Sequence, residues 1–214
     1  MPTILSINVG RVAVHTDDRA ADGNDRRWTT AFFKTPVAGP VAAGSLGLAG
    51  DQQANQIHHG GLDKAALAYS VDHYPFWQAH LGIPDMPLGG FGENLLIAGV
   101  DENSVCIGDV WRAGDAKLQV SQPRQPCWKM SRRWRIQDLA QQVVANGKSG
   151  WYLRVLVGGT ISAGSEMELI ERPYPAWTVA RASQVMHHRQ NDLTLAAELA
   201  ALPELSASWK ATLK

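Results

Sequence analysis

The alternation of apolar and polar residues in the first two thirds of the chain predicts a protein built mainly from short β-strands. Residues 116–122 alternate over their whole length, and the strand that begins at Ile4 stops at Gly10. A period of two residues places successive side chains on opposite faces of a strand, and glycine turns between such segments are typical of sheets. The predicted strands are Ile4–Val9, Trp28–Lys34, Val41–Leu48, Lys64–Tyr69, Phe91–Ile97, Val105–Trp111, Lys117–Gln122, Trp151–Val157 and Glu166–Ile170.

This series of strands favours a closed or nearly closed barrel, because closure removes the unpaired edges of a sheet. The last two predicted strands are expected to pair with each other across Gly158 and Gly159. The polar segment from His15 to Arg27 is rich in Asp and Arg and is expected to be an exposed loop. The predicted fold class is therefore mainly β with α.

Helical signals occur at two places within the strand-rich part and then in the tail. Asp72–Leu81 has Asp72 as a possible N-cap and Gly82 as a stop, and Gln137–Asn146 is closed by Gly147. Three more helices are predicted in the tail, at Val179–His187, Leu193–Leu202 and Ala207–Leu213, with N-caps at Thr178, Asn191 or Asp192, and Ser206.

A composition shift at Pro173 and Pro175 separates these helices from the strands. We predict a barrel domain over residues 1–173, with its core at about 28–172, and a three-helix region over residues 174–214. The helical region is too short to hold a core of its own. We expect it to pack as an appendage that takes no part in a redox centre.

The composition narrows the class of protein. The chain has 214 residues, of which 45% are apolar, and a formal net charge of zero. This apolar content suffices for a core, and zero net charge gives no general attraction to nucleic acid or membrane surfaces. There are two cysteines, no signal-peptide pattern and no apolar run near the ~20 residues of a membrane-spanning helix. A soluble cytoplasmic protein is expected.

One short stretch, residues 121–135, concentrates the chemistry of the sequence. Cys127 follows a predicted strand there, and Pro123 and Pro126 stiffen the approach to it. A positive field favours the thiolate, which is the form that attacks carbon or binds a metal. We therefore predict a functional role for Cys127, whereas Cys106, flanked by apolar residues on a predicted strand, is expected to be a core residue. The surrounding cations are Arg124, Lys129, Arg132, Arg133 and Arg135.

Motifs for other chemistries do not match. The sequence around Gly147 resembles the end of a phosphate-binding loop, but Gln142 stands where that loop needs its first glycine. Cys127 and Arg133 have the spacing of cysteine-dependent phosphatases, yet no glycine between them allows a tight phosphate loop. Adjacent histidines such as His58–His59 point apart and do not by themselves predict a metal site.

Several short motifs nevertheless occur in a recognisable order. They are Lys34–Pro36, Gly47–Asp51, His59–Ala65, Gly90–Asn94, Ile107–Asp109, Gln122–Cys127 and Gly150–Arg154. Together with the helical tail, this series resembles the MOSC family, named for the C-terminal domain of molybdenum cofactor sulfurases, and within it the YiiM-like proteins. The resemblance covers nearly the whole chain, and the motifs are specific in combination.

The resemblance implies a MOSC-type β-barrel that binds a molybdopterin form of the molybdenum cofactor, with Cys127 as the catalytic residue and thiolate ligand to molybdenum. His58 is an extra histidine before the one in the motif, which leaves open which imidazole faces the pocket. A soft thiolate suits a metal already bound by sulfur, and an anionic phosphate needs cationic and amide donors. The implied cofactor contacts are Lys34, His59, Gly60, Lys64, Asn94 and Arg124.

The resemblance also implies an activity. Relatives of this kind reduce small N-hydroxylated compounds, such as hydroxylamino-purines and amidoximes, which makes a molybdenum-dependent oxidoreductase the leading hypothesis. The reaction consumes two electrons, and the chain has neither a flavin or nicotinamide motif nor the four cysteines of an iron–sulfur cluster. An external electron-donor reductase is therefore the expected partner, and a homodimer is left open.

Two alternatives come from other functional classes. The first is a carrier of molybdenum cofactor or sulfur that performs no turnover of its own. The second is a nucleic-acid or protein-binding module that uses a basic edge of the tail, formed by Arg181, His187, His188 and Arg189. The acidic residues of the tail and the neutral chain argue against the second alternative, so neither a nucleic-acid polymer nor a membrane is expected as a partner.

Overall fold

The computed structural model describes residues 1–16, 27–188 and 190–213. The predicted loop between His15 and Arg27 lies outside the described residues except at its ends, and Arg189 of the predicted basic edge lies outside them as well. The strands are β1 (Thr3–Val9), β2 (Ala13–Thr16), β3 (Arg27–Thr30), β4 (Thr35–Pro36), β5 (Val41–Gly44), β6 (Gly47–Leu48), β7 (Ala66–Ser70), β8 (Leu95–Ala98), β9 (Val110–Ala113), β10 (Ala116–Pro123), β11 (Trp151–Val157), β12 (Gly159–Ile161) and β13 (Met167–Glu171).

Eight of these strands form one mixed sheet that curls into a half-barrel. Their order is β13-β9-β10-β11-β7-β8-β1-β4, and every neighbouring pair is antiparallel except β7 and β8, which are parallel. Smaller sheets join β12, β5 and β6, and β2 with β3. Apolar side chains on alternate positions, such as Ile4, Leu118 and Leu153, are fully buried and fill the interior.

Backbone hydrogen bonds bring the two ends of the large sheet together. The Ile4 N–H donates to the Ser165 carbonyl (3.0 Å), and the Met167 N–H donates to the Pro2 carbonyl (2.8 Å). The segment around Ser165 leads directly into β13, which is at one end of the order, whereas β1 is the last strand but one at the other end. These bonds satisfy backbone groups that an open edge would leave exposed. The predicted fold class, a mainly β, barrel-like domain followed by three helices, is confirmed.

Two strand predictions are wrong at turns that the hydrophobic pattern did not separate. Val41–Leu48 is not one strand but the hairpin of β5 and β6, in which Gly47 has a φ of 145° that favours glycine. The strand predicted at Phe91–Ile97 begins only at Leu95. The preceding residues instead form a loop around the buried carboxylate of Glu93, which accepts two backbone hydrogen bonds from that loop.

Cys106 also lies in a turn rather than in a strand. Of the predicted strand Val105–Trp111, only its last two residues belong to β9. The Asp109 carboxylate accepts the Cys106 N–H (2.9 Å), which closes the turn, and the thiol contacts the Pro175 carbonyl. Cys106 is 2% exposed, so the prediction that it is a core residue is confirmed.

Two further strand predictions differ in extent or pairing. The strand predicted at Trp28–Lys34 ends at Thr30, whose hydroxyl oxygen accepts the Phe32 N–H (3.0 Å). The predicted late strands are present as β11 and β13, but they do not pair with each other. Strand β13 pairs with β9, whereas β11 lies between β10 and β7.

The helices are α1 (Gln56–His59), α2 (Tyr74–Leu81), α3 (Trp128–Trp134), α4 (Leu139–Asn146), α5 (Val179–His187), α6 (Leu193–Ala201) and α7 (Ala207–Leu213). The predicted caps of the tail are confirmed, because Thr178, Asp192 and Ser206 each accept a backbone N–H of the first turn, at 3.1, 2.9 and 3.2 Å. Asp72 is not a cap, since it lies in a 3₁₀ turn before α2.

Helix α3 was not predicted, because its residues read as a basic loop. It begins directly after Cys127, whose backbone is extended (φ −124°, ψ 164°). It ends at Arg135, which adopts the left-handed conformation (φ 57°). This conformation at the end of a helix is usually adopted by glycine, which is what makes such ends recognisable in a sequence. Neither end therefore carries a recognisable sequence signal.

The three-helix region shares one apolar core with the half-barrel. Trp177, Val179, Leu199 and Trp209 are buried in the same cluster as residues of the large sheet. The Ser206 N–H also donates to the Ser121 carbonyl (2.9 Å) at the end of β10. The tail is therefore an integral part of the packed structure rather than an appendage, and the domain boundary at residue 173 stays a prediction.

Trp209→Ala is expected to lower the free energy of unfolding by about 3 kcal/mol, because it empties a fully buried site in the shared core. The expected loss is at the lower end of the usual range for such substitutions, since the indole Nε1 has no hydrogen-bond partner among the described residues. Urea unfolding monitored by circular dichroism measures the change. Trp128→Ala is the matched control, because Trp128 is 54% exposed and should cost no more than about 0.5 kcal/mol. A separate early transition for the helices in Trp209→Ala would contradict a shared cooperative core.

Candidate functional site

Two adjoining cavities meet at Cys127. The inner cavity, of about 70 Å³, extends towards Phe32 and Lys34, and the outer cavity, of about 510 Å³, opens towards Trp128. The residues that line both cavities are His59, Cys127, Lys129 and Tyr152. A molecule in the outer cavity can therefore reach the thiol at its inner end.

The local backbone sets the position of Cys127. The Arg124 N–H donates to the Gly150 carbonyl (3.0 Å), which holds the chain just after β10. Cys127 then occupies the N-cap position of α3, where its carbonyl accepts the Met130 N–H (3.1 Å) and its side chain makes no capping bond. The thiol is half-buried and lines both cavities. This arrangement presents a sulfur atom that is reachable but partly shielded from solvent.

Lys34 brings a buried charge to the inner cavity. It is 8% exposed, and its ammonium forms an ion pair with the buried carboxylate of Asp51, which also accepts the Gly10 N–H (2.8 Å). Burial lowers the pKa of Lys34, and the opposite charge of Asp51 offsets part of this effect. The motif Gly47–Asp51 thus supplies the counter-ion of a predicted site residue.

Arg124 has a buried, unsatisfied donor beside these residues. It is 4% exposed, and its Nη1 has no hydrogen-bond partner in the part of the chain that the structure describes. It lines neither cavity, but its positive charge acts on two residues that line both, adding to the burial that lowers the pKa of His59 and opposing the burial that raises the pKa of Tyr152. A buried guanidinium with an open donor is suited to bind an anion.

His59, not His58, reaches the inner cavity. His59 ends α1 and lines both cavities, whereas His58 lines only the outer one. Burial, and to a smaller extent the nearby charges of Lys129 and Arg124, lower the pKa of His59 to about 4. The imidazole is therefore neutral at pH 7, and of the two histidines it is the one that lines both cavities.

Three other predicted contacts are placed differently. Lys64 lines the outer cavity, where its ammonium donates to the His58 carbonyl (2.9 Å). Gly60 lines neither cavity and closes α1, since its N–H donates to the Gln56 carbonyl.

Asn94 also lines neither cavity, although it belongs to a motif that borders the site. Its side-chain oxygen accepts the Leu67 N–H and its side-chain nitrogen donates to the Asn8 carbonyl, both at 3.1 Å, so that it joins β1, β7 and β8. Within the same motif, Gly92 lines the inner cavity at a φ of 77°, and a Cβ there would lie 2.7 Å from the Phe32 ring. The motif Gly90–Asn94 thus shapes the cavity wall through its backbone.

Sequence reasoning missed Tyr152 as a site residue. It lies opposite Gln122 in the pairing of β10 with β11 and therefore faces the start of the Cys127 loop. Burial raises the pKa of its phenol, which stays protonated and can donate a hydrogen bond. The motif Gly150–Arg154 contained this residue, and the strand register could have assigned it.

The tail reaches the site as well. Ser208 and Thr212 of α7 line the outer cavity, as Trp128 does. Helix α7 therefore borders the outer cavity, and the prediction that the helices take no part in the redox centre stays a prediction. Sequence reasoning had no signal for this contact, because it depends on the packing of the tail against β10.

Within residues 1–16, 27–188 and 190–213, no group of three or more His, Cys, Asp or Glu side chains could hold a metal ion. Over the same ranges, the structure has no helix whose length and apolar character would allow it to span a membrane.

Comparison with known proteins identifies relatives over nearly the whole chain. YflK of Bacillus subtilis is 36% identical over 210 residues, which cover 98% of this chain and 92% of that protein. Protein YiiM of Escherichia coli is 37% identical over 191 residues, covering 86% and 83%. A Gibberella moniliformis protein named reductase is 39% identical over 203 residues, which cover 94% of this chain but 35% of the longer protein.

Solved structures and family models agree with these relatives. The crystal structure of YiiM from Geobacillus stearothermophilus matches with a TM-score of 0.82 and 37% identity, covering 100% of this chain and 97% of that one. YiiM from Escherichia coli matches with a TM-score of 0.75 and 32% identity, covering 94% and 89%. The MOSC domain model matches residues 55–168, and the model of the YiiM-like 3-alpha helix domain matches residues 177–214. The chain therefore belongs to the MOSC domain family and carries the three-helix domain of YiiM-like proteins.

Proposed function

We propose that this protein binds a molybdopterin form of the molybdenum cofactor at Cys127 and reduces small N-hydroxylated compounds with electrons from an external donor. Membership of the MOSC family supports the link to the molybdenum cofactor. The relative named reductase supports an oxidoreductase, although the present chain corresponds to about a third of that protein. The observation that carries the proposal is the half-buried thiol between two cavities, together with the buried Arg124 guanidinium behind them, whose Nη1 has no partner among the described residues.

The residues at the site fit an anionic ligand that contains a soft metal. Cys127 would provide a thiolate, which suits a metal that is otherwise bound by sulfur. Arg124, with its open Nη1, and the buried ammonium of Lys129 would bind anionic groups such as a phosphate. When bound, the cofactor would supply the two-electron chemistry, which this chain's own side chains cannot provide.

Two side chains beside Cys127 are suited to handle protons. Reduction of an N-hydroxylated compound consumes two electrons and two protons, breaks the N–O bond and releases water. The Tyr152 phenol, with its raised pKa, can donate a hydrogen bond to the departing oxygen. The neutral imidazole of His59 can accept or donate a hydrogen bond at pH 7.

The carrier alternative uses the same residues and differs only in the absence of turnover. The binding-module alternative has less support, because Arg181 packs over the Trp177 ring (4.4 Å) and donates to the Ala176 carbonyl. Its guanidinium therefore stabilises the start of α5. We keep the reductase as the proposal and use turnover to separate it from the carrier.

Protein produced in a host that makes molybdopterin is expected to contain molybdenum and pterin in equal amounts, and protein from a host lacking that pathway should contain neither. With reduced methyl viologen as electron source, the first preparation should convert a hydroxylamino-purine or an amidoxime to the amine. Metal analysis, pterin fluorescence and product chromatography measure these outcomes. Stoichiometric cofactor without any reduction would favour the carrier, and absence of cofactor would refute binding.

Cys127 is expected to react with iodoacetamide in cofactor-free protein and to be protected when cofactor is bound, because a thiolate bonded to metal is not available for alkylation. Peptide mass spectrometry measures the labelled fraction. Cys127→Ser should change the absorption spectrum and reduce activity strongly, since oxygen replaces the sulfur ligand. Cys106→Ser is the matched control and should leave both unchanged. Equal labelling of Cys127 with and without cofactor would exclude it as a ligand.

The imidazole of His59 is expected to titrate near pH 4 in cofactor-free protein, so that it is charged below that pH and neutral above it. Lys129→Gln should raise the pKa of His59, because it removes the neighbouring positive charge that disfavours the imidazolium. NMR titration of the imidazole protons measures both values. Lys117→Gln, on the exposed face of β10, is the control and should leave the titration unchanged. A pKa near 6.5 in the unmodified protein would contradict the cationic, buried setting of His59.

A further inference from the structure

Helix α7 contributes one wall of the outer cavity. Ser208 and Thr212 are four positions apart, so that they lie on one face of the helix, and both line the cavity that leads to Cys127. The adjacent face carries Trp209 and Leu213, which are buried in the shared core. The packing of these two apolar residues therefore determines which face of α7 is turned to the cavity.

Hydrogen bonds fix the start of α7 to both sides of this cavity. The Ala207 N–H donates to the Asp63 carboxylate (3.1 Å), and Asp63 is in turn held by Arg154 (2.7 Å). On the other side, the Ser208 hydroxyl donates to the side-chain oxygen of Gln122 (3.1 Å), a residue of β10 that lines the same cavity. Helix α7 is thus attached to the two segments that lead to Lys64 and to Cys127.

Two large apolar side chains also line the outer cavity, among several polar ones. Ile57 is 88% exposed and Trp128 is 54% exposed, and both line the cavity. The Arg132 guanidinium lies over the Trp128 ring, with its carbon 4.6 Å from the ring centroid, and this cation–π contact stabilises the position of the ring. The volume of the outer cavity, about 510 Å³, is in the range that accommodates one small organic molecule.

The hydroxyls of α7 already have partners within the protein. Ser208 donates to Gln122, and the Thr212 hydroxyl donates to the Ser208 carbonyl (3.0 Å). These two side chains therefore affect which molecules enter the outer cavity through the volume that they occupy, and not through hydrogen bonds to the entering molecule. The other half of the route, the inner cavity of about 70 Å³, is too small for a ring system together with its substituents.

We propose that α7 sets the size of the molecules that reach Cys127, with Thr212 as the specificity-determining residue on this wall. The effect of α7 on substrates rests on the function proposed above. Its effect on access to the Cys127 thiol is independent of that function. A bulky side chain at position 212 narrows the route for large molecules and leaves it open for small ones.

The test uses cofactor-free, full-length protein with Cys106→Ser, so that Cys127 is the one thiol. N-ethylmaleimide and N-(1-pyrenyl)maleimide react by the same chemistry but differ in size. Thr212→Trp should slow labelling by the pyrenyl reagent about tenfold more than labelling by the ethyl reagent, which corresponds to about 1.4 kcal/mol. Thr212→Ala should shift the ratio in the opposite direction.

Ala211→Trp is the matched control, because residue 211 is exposed on the same helix and does not line the cavity. It should change neither rate, and thermal unfolding of each variant checks that the fold is intact. An unchanged ratio in a folded Thr212→Trp protein would overturn the proposal. The same ratio change in Ala211→Trp would overturn it as well, because the effect would not depend on the cavity wall.

Cofactor-loaded protein extends the test to substrates. Thr212→Trp should lower kcat/KM for benzamidoxime relative to hydroxylamine, mainly through KM, and retain molybdenum at the level of the unmodified protein. Loss of molybdenum from a folded Thr212→Trp variant would overturn the proposal, since α7 would then contact the cofactor. If no variant, including the unmodified protein, shows turnover, the proposed function fails while the maleimide ratios still decide access.

Discussion

The site depends on how the last residues of β10 are held. The Ser121 carbonyl accepts a hydrogen bond from the Ser206 N–H just before α7, and the Arg124 N–H donates to the Gly150 carbonyl just before β11. These two bonds fix the backbone, and Pro123 and Pro126 limit how it can continue. Cys127 then caps α3. Its position is therefore determined by backbone contacts, and its side chain remains available to a ligand.

Around this fixed point the charges are unbalanced, although the chain as a whole is neutral. Lys34, Arg124 and Lys129 are all buried, and of these Lys34 is paired with Asp51. Burying a cation without a partner costs free energy. A protein keeps such a group where a ligand completes its hydrogen bonds, which is consistent with an anion-binding role for Arg124.

Much of the fold followed from local patterns in the sequence. The caps at Thr178, Asp192 and Ser206 and the glycine stops at Gly82 and Gly147 have local physical causes, and the structure has helix ends at each of them. The sequence pattern that predicted a functional role for Cys127 was local in the same way. A cysteine among cations after a strand is readable without tertiary information, because the relevant charges are close to it in sequence.

The roles that the sequence did not predict correctly depend on contacts between segments that are distant along the chain. Asn94 resembles a ligand contact in its motif, yet its amide joins three strands that only the folded sheet brings together. Tyr152 faces the Cys127 loop because of the β10–β11 register, and Thr212 reaches the cavity because Trp209 packs into the common core. Periodicity and spacing alone carry no information about such contacts. The role of Tyr152 required the β10–β11 register, and the roles of Asn94 and Thr212 required the folded structure.

The bonds between β1 and the segment around Ser165 have a consequence for the kinetics of folding. They join the first strand of the barrel to the last, so their formation requires closure of a very long loop, whose entropy opposes it until other contacts are in place. Local hairpins such as β9–β10 can form early, whereas β1 can complete its pairing only late. During that interval the edge of β1 is available to other chains, which makes incompletely closed molecules the species most prone to aggregate.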